Sequence, residues 1–262
     1  MTELWPRNGH ESGRSVAIKG GVVNRFREHL KEKHMRELLT AGLTTPDDEF
    51  VGGNSYRYKG RYYTAEHDAD AEFAIDPFDV VEDNLEATIL NITNVYETEH
   101  AIPQLDAYRI SAIYQNFVML GGEVDARELT AENVLEAFEG YMSAMDDADI
   151  PTQGRILYVT PAINRLFGEK PPHGAEVVVM PRGRMRTEYD FKDGFVPADG
   201  AKQINMMLVS PQSVVAAHKH SYIKLWPPGT HTLGDMYLYQ NRQYAGIFIV
   251  EEKMAGVAIN VH

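Results

Sequence analysis

Between Pro77 and Phe117 one apolar stripe recurs at helical spacing. Leu85, Ile89, Ile92, Val95 and Tyr96 trace it, and Ile102, Leu105, Tyr108 and Ile113 continue it. Recurrence at three and four residues predicts a long amphipathic helix, and any fold has to be arranged around it. Pro103 falls inside the stripe. A proline lacks the amide donor and crowds the carbonyl four residues back, so a kink or break is expected there. Gly121-Gly122 closes the stretch.

The region before this helix has two textures. Residues 1 to about 20 are polar and glycine-containing with little periodicity, which predicts an arm ordered only by contact with something else. Val23, Phe26, Leu30 and Leu38 then recur among charges, predicting a helix from about 22 to 39 that stops at Ala41-Gly42. Its basic stretch, Arg25 to Arg36, is interleaved with Glu28 and Glu32 and is expected to be a solvated helix face. From Thr44 to Ala74 the turn signals Gly52-Gly53-Asn54 and Lys59-Gly60, flanked by Tyr56, Tyr58, Tyr62 and Tyr63, predict a β-hairpin. Such a hairpin is marginal alone and must lean on a neighbour or on its own domain.

After Gly122 the pattern becomes mixed. Thr130 is the expected N-cap of a helix with the stripe Val134, Phe138, Tyr141, Met142 and Met145. Two strand-to-helix junctions follow. The strand Arg155 to Val159 meets Thr160-Pro161 and a helix with Ile163, Leu166 and Phe167; Ile204 to Val209 meets Ser210-Pro211 and a helix with Val214 and Val215. In each, a hydroxyl stands at the N-cap and proline at the first helical position, where its missing donor costs nothing. Glu176 to Met180 is expected as a short buried strand, and Met236–Tyr239, Gly246–Val250 and Gly256–Val261 as closing strands. Helices first and a mixed sheet after predict an α+β fold.

Composition narrows the function. The chain has no cysteine, which excludes disulfides, thiolate metal sites and cysteine nucleophiles. Its 25 basic and 38 acidic residues give a net charge of −13, which argues against a dedicated nucleic-acid-binding module. No apolar run is long enough for a bilayer, and Met1 to Arg14 lacks a secretory apolar core, so folding in the cytoplasm and no membrane contact are expected.

Motifs for catalysis are missing too. No phosphate-binding glycine loop, dinucleotide fingerprint or nucleophile elbow occurs. His218 and His220, with His231 further on, could share a metal only if they lay on a strand, and no third ligand stands at a suitable spacing. A polar helix end running into a loop is the expected reading. His67-Asp68-Ala69-Asp70 lacks the glycine and closing glutamate of a calcium loop and is expected to be a solvated turn. Glu82-Asp83 and Asp146-Asp147 look like helix-end charges. No catalytic, cofactor or metal residue is therefore assigned.

Four stretches together resemble tailed-phage (Caudoviricetes) major capsid proteins of the Hong Kong 97 fold type. Glu82 through Ile102-Pro103-Gln104-Leu105-Asp106-Ala107-Tyr108-Arg109 looks like that family's spine helix. Leu129-Thr130-Ala131-Glu132 through Arg155-Ile156-Leu157-Tyr158-Val159-Thr160-Pro161 resembles the helix, strand and helix of its peripheral domain. Phe195 to Val209, and Ser210-Pro211 through Tyr237-Leu238-Tyr239-Gln240-Asn241-Arg242-Gln243-Tyr244 to His262, are similar to its later strands. The resemblance covers roughly residues 72 to 262.

The resemblance implies an N-terminal arm with its amphipathic helix over 1–43, an extended hairpin (the E-loop) over 44–75, and a capsid body over 76–262. That body would hold a spine helix over about 77–117 and interleaved peripheral and axial domains. It implies a structural subunit, not an enzyme, that assembles with itself into pentamers and hexamers of a virion shell around double-stranded DNA, without gripping the DNA specifically. A separate scaffolding protein (or none), a portal and a decoration protein are the further partners, since too few residues precede the spine for a built-in scaffold. Lys59 is a cross-linking donor by location only, and no cross-linking is expected. A nanocompartment shell protein of the same fold and a soluble α+β enzyme with a dispersed site remain as alternatives.

Overall fold

The computed structural model describes residues 20–45, 49–52, 54–58, 60–76, 85–192, 194–226, 228–232 and 234–262. Helix α1 spans Gly20–Glu37 and is followed by a 3₁₀ turn over Ala41–Leu43. Strands β1 (Glu49–Gly52), β2 (Ser55–Tyr58), β3 (Arg61–Thr64) and β4 (His67–Ile75) come next. Helices α2 (Leu85–Tyr96) and α3 (Ile102–Met119) are joined by a π-helical turn over Glu97–Ala101. The chain continues through α4 (Val134–Asp147), β5 (Ile156–Val159), α5 (Pro161–Leu166) and β6 (Glu176–Val179). Short strands β7 (Tyr189–Asp190) and β8 (Val196–Pro197) precede β9 (Ile204–Val209), β10 (Val214–Trp226), β11 (Tyr237–Ile249) and β12 (Val257–Val261). The expected α+β organisation is the one found.

One sheet, in the order β12-β9-β5-β6, divides the core in two. From its central strands, Ile156, Tyr158, Met207 and Val209 pack with Ile110, Ile113 and Phe117 of α3 and the inner ends of β10 and β11. Leu157, Val159, Met206 and Leu208 turn the other way, onto Phe138, Tyr141 and Met145 of α4 and Ile163 of α5. Strands with helices on both faces have no solvent side, which is why β5 and the Met206–Val209 stretch of β9 are unbroken apolar runs. Each large apolar side chain buried here contributes about 1.5–3 kcal/mol.

The spine is helical from Leu85 to Met119, and the irregularity predicted at Pro103 lies one turn earlier. The Ile102 amide reaches back five residues to the Glu97 carbonyl, a widened turn. Pro103 then sits in the first turn of α3, where its missing donor is harmless. At the far end, Gly122 N–H bonds the Phe117 carbonyl and Gly121 N–H the Val118 carbonyl. Gly121 has φ +86°, and this pair of bonds is a Schellman ending at the Gly-Gly stop expected from the sequence.

A second sheet, β10-β11-β4, lies along the spine, with β10 and β11 forming one hairpin of long strands. The third sheet, β1-β2-β3, turns at Gly60, where φ is +79°. It packs on its own domain. Tyr56 is fully buried against Ala65, Val215 and Ala217, and Tyr63 lies 5.1 Å from the Phe248 ring. Residues 44–75 thus divide between this small sheet and β4.

Several local expectations are corrected. Val214 and Val215 begin strand β10, not a helix: only a one-turn 3₁₀ element follows Ser210, whose hydroxyl makes no cap bond. At the equivalent junction Thr160 Oγ1 accepts from Ile163 N–H, and α5 forms as predicted. Asn133, not Thr130, caps α4, and its Oδ1 instead accepts from Thr130 N–H at 2.8 Å. Glu176–Val179 is an edge strand with Val179 exposed, so it is only half-buried. Two predicted closing strands merge into β11. His67–Asp70 begins strand β4 in place of a solvated turn. The expected solvated face of α1 holds buried Lys33 and His34. The arm over 1–19, Glu82-Asp83 and Lys59 lie outside the described residues.

Candidate assembly surfaces

Two features could serve a subunit that works by contact: a buried polar junction holding the parts together and the faces they leave outward. The junction starts on α1. Leu30, Lys33, His34 and Leu38 are spaced three and four residues apart, so one side of the helix is buried. From that side His34 Nε2 lies 2.7 Å from Glu97 Oε2, and Glu97 Oε1 accepts from Asn241 Nδ2 at 3.1 Å. The His34 ring also stacks on His218, 4.9 Å between centroids. The π-turn therefore places Glu97 between α1 and β11, joining arm helix, spine and sheet through one buried carboxylate.

About two and a half turns further along the spine, Asp106 accepts from Thr40 N–H and Thr40 Oγ1, both at 2.9 Å, and from Leu39 N–H and Arg184 Nη1, both at 3.2 Å. Burial pushes its carboxyl up, and the donors from Thr40, Arg184 and Leu39 oppose that shift. Arg109, three residues on, gives Nη1 to the Thr40 carbonyl at 3.1 Å and to Thr44 Oγ1 at 3.1 Å. A second buried cation, Arg155, clamps the end of α4, donating to the carbonyls of Ile150, Pro151 and Met142 and to Asp146. None of these roles was identified from the sequence. For Asp106 and Arg109 a signal existed: both fall on the buried stripe of Ile102, Leu105 and Ile110, where a charge needs a partner.

An aromatic clasp joins β4, α3 and the β7–β8 loop. The His67 ring stacks on Tyr108 at 4.4 Å and meets the Phe191 edge at 5.1 Å, and its Nε2 has no hydrogen-bond partner among the described residues. Burial lowers its pKa to about 4, with Asp68 acting weakly in the opposite direction. The folded value lies below the unfolded one of about 6.5, so the unfolded chain takes the proton first. The neutral ring's full contribution is present above about pH 6.5 and is lost as pH falls toward 4, by up to about 3 kcal/mol. In denaturation of the soluble subunit, wild type should weaken relative to His67→Phe over that window. Parallel stability curves would refute the assignment.

The sequence-marked groups do not converge. His218 and His220 do lie on a strand, but His218 Nε2 engages Gln243 Oε1 at 3.0 Å. His231 Nε2 bonds the Met236 carbonyl in the β10–β11 connection. Asp146 pairs with Arg155, and Asp68 with Arg242, whose Nε donates at 2.8 Å. Among the described residues no group of three or more His, Asp or Glu could hold a metal, and no helix is long and apolar enough to cross a membrane.

The side of the second sheet turned away from the spine is ordered in rows. On β4, Asp68, Asp70 and Glu72 are exposed while Ile75 and His67 are buried. Register places Asp68 beside Tyr244 and Lys219, Asp70 beside Arg242 and Tyr222, and Glu72 beside Gln240 and Lys224. Gln240 Nε2 donates to Glu72 at 2.6 Å, and Lys224 Nζ lies 3.1 Å over the Trp226 ring. Elsewhere Met119 is 77% exposed at the spine's end, Tyr62 67% on the hairpin and Val196 58% on β8, apolar surface suited to burial by a partner.

No protein-family model matches the sequence, and no curated protein matches it. Solved structures do match its fold. The mature capsid of bacteriophage PhiM1 aligns with a TM-score of 0.56 at 14% identity, over 83% of this chain and 77% of that one. Mycobacterium phage Che8 gives 0.51 at 10% identity, over 80% and 76%. The SrpI encapsulin complex of Synechococcus elongatus gives 0.50 at 10% identity, over 79% and 76%. The chain has the Hong Kong 97-type capsid fold.

Proposed function

We propose that this chain is a shell-forming structural protein, the major capsid subunit of a tailed virus, which acts by building a container and not by catalysis. The observation that carries the reading is the capsid fold, matched over most of the chain by the PhiM1 mature capsid. Many copies would assemble through pentamers and hexamers into a virion head around double-stranded DNA, after folding in the host cytoplasm. A net charge of −13 suits enclosing a polyanion without adhering to it. Each copy is held by several neighbours at once, so single contacts can stay weak. Scaffolding, portal and decoration proteins are the further partners of this reading.

The likeness to the SrpI encapsulin complex favours a second reading, a nanocompartment shell around protein cargo. Negative-stain microscopy with size-exclusion chromatography of the expressed chain tests both. Closed shells, tubes, pentamers or hexamers are the expected result. Nucleic acid inside supports the viral reading and protein cargo the nanocompartment. A strict monomer at high concentration would overturn the shell reading and reopen the enzyme alternative.

A further inference from the structure

We infer that the β10-β11-β4 sheet is a seam between copies of this chain, with the acidic edge strand β4 of one copy set against the basic edge strand β10 of the next. The inference rests on the shell-forming reading and adds which surfaces meet and in what sense. Among the described residues β4 and β10 are the two edges of this sheet, and β10 is bridged by Thr44–Thr45 at Ala216, below the Lys219–Lys224 stretch. A strand edge carries main-chain donors and acceptors that another chain can satisfy.

The charges on the two edges are opposite. β4 presents Asp68, Asp70 and Glu72, all exposed, and β10 carries Lys219 and Lys224 on the same face. Arg242 pairs with Asp68 and stands opposite Asp70, with which it makes no ion pair among the described residues; Glu72 has a neutral amide. The columns also share a spacing. Asp68 and Lys219 flank Tyr244, and Glu72 and Lys224 flank Gln240, so both columns repeat four β11 residues apart, about 13–14 Å.

A sheet polarised this way discriminates between modes of self-association. Two-fold pairing of β4 with β4 would oppose carboxylates, and β10 with β10 would oppose ammonium groups. Only the head-to-tail arrangement brings unlike edges together, and heterologous contacts of that kind generate rings. At half-exposed positions such charges select orientation and partner more than they add affinity.

Two full-length variants test this. One carries Asp70→Lys with Glu72→Lys, the other Lys219→Glu with Lys224→Glu, each checked for folding by near-ultraviolet circular dichroism. Light scattering and negative-stain microscopy should show each variant alone needing at least about tenfold more protein than wild type to assemble, because like charges now meet. An equimolar mixture should assemble near the wild-type concentration, since each seam again joins unlike edges. Either variant assembling normally alone, or a mixture of two folded variants as inert as its components, overturns the inference and leaves the shell reading intact. A wild-type chain that never oligomerises overturns both. If a reversed variant misfolds, Asp70→Asn with Glu72→Gln replaces it: a severalfold loss of assembly supports the seam, and wild-type assembly sinks it.

Discussion

Arg155→Leu should lower the stability of the folded subunit by about 3–5 kcal/mol, the range for removing one partner from a buried charged network. The side chain is fully buried and spends its donors on the carbonyls of Ile150 at 2.6 Å, Pro151 at 3.1 Å and Met142 at 3.2 Å, and on Asp146 at 2.7 Å. Met142 lies within α4, and Ile150 and Pro151 in the loop that carries the chain to β5. Asp149, at φ 55°, ends α4 with bonds from its own N–H to the Asp146 carbonyl and from Ile150 N–H to the Met145 carbonyl, and Arg155 ties that ending to the loop beyond it. Leucine fills similar space but takes the guanidinium donor from the Ile150 and Pro151 carbonyls in the loop, each costing about 1–3 kcal/mol before relaxation. Asp146 is half-exposed and is rehydrated when freed. Urea denaturation measures the difference, and a loss under about 1 kcal/mol would mean that water replaces the guanidinium readily.

Asp106→Ala should cost a comparable 3–5 kcal/mol, with a different signature. It strands the Thr40 and Leu39 amides and the Arg184 guanidinium, all held by one carboxylate on α3. Those donors fasten the α1 connection to the spine, so the cut should first loosen residues 38–45. Limited proteolysis should find new cleavage there before the body unfolds. Asp106→Asn should cost about half as much. It keeps an acceptor for Thr40 and removes a charge that burial already disfavours. If asparagine proves as damaging as alanine, the pairing with Arg184 outweighs the Thr40 bonds.

What was legible in the sequence follows from how local each signal is. The spine was visible because its stripe repeats within one element. The Thr160-Pro161 junction was visible because a cap is a three-residue affair. Ser210-Pro211 carried the same hydroxyl-proline pattern, yet the β-branched pair Val214-Val215 and the pairing of β10 with β11 overrode it. β4 was legible in principle: Asp68, Asp70 and Glu72 alternate with Ala69, Ala71 and Phe73, the period-two pattern of a half-buried strand. Polarity drew attention to the acids and hid the alternation. The polar junction was the least legible part, because Asp106 meets Thr40 and Glu97 meets Asn241 only after long stretches of chain have folded. The capsid fold itself was anticipated by the four family-like stretches, and solved structures match it at 14% identity or less.

The pairing of β4 with β11 also sets a timetable for the nascent chain. β4 ends at Ile75 and β11 begins at Tyr237, so about 160 residues of translation separate the two halves of that ladder. At about 5–20 residues per second, β4 leaves the ribosome roughly 8–32 seconds before its partner exists. Neighbouring ribosomes on one message would then display several unpaired copies of this strand side by side. A bare apolar strand in that position would nucleate aggregates, whereas carboxylates at every second residue make identical copies repel. Alternating acids on β4 would thus hold sister chains apart until each has completed its own sheet.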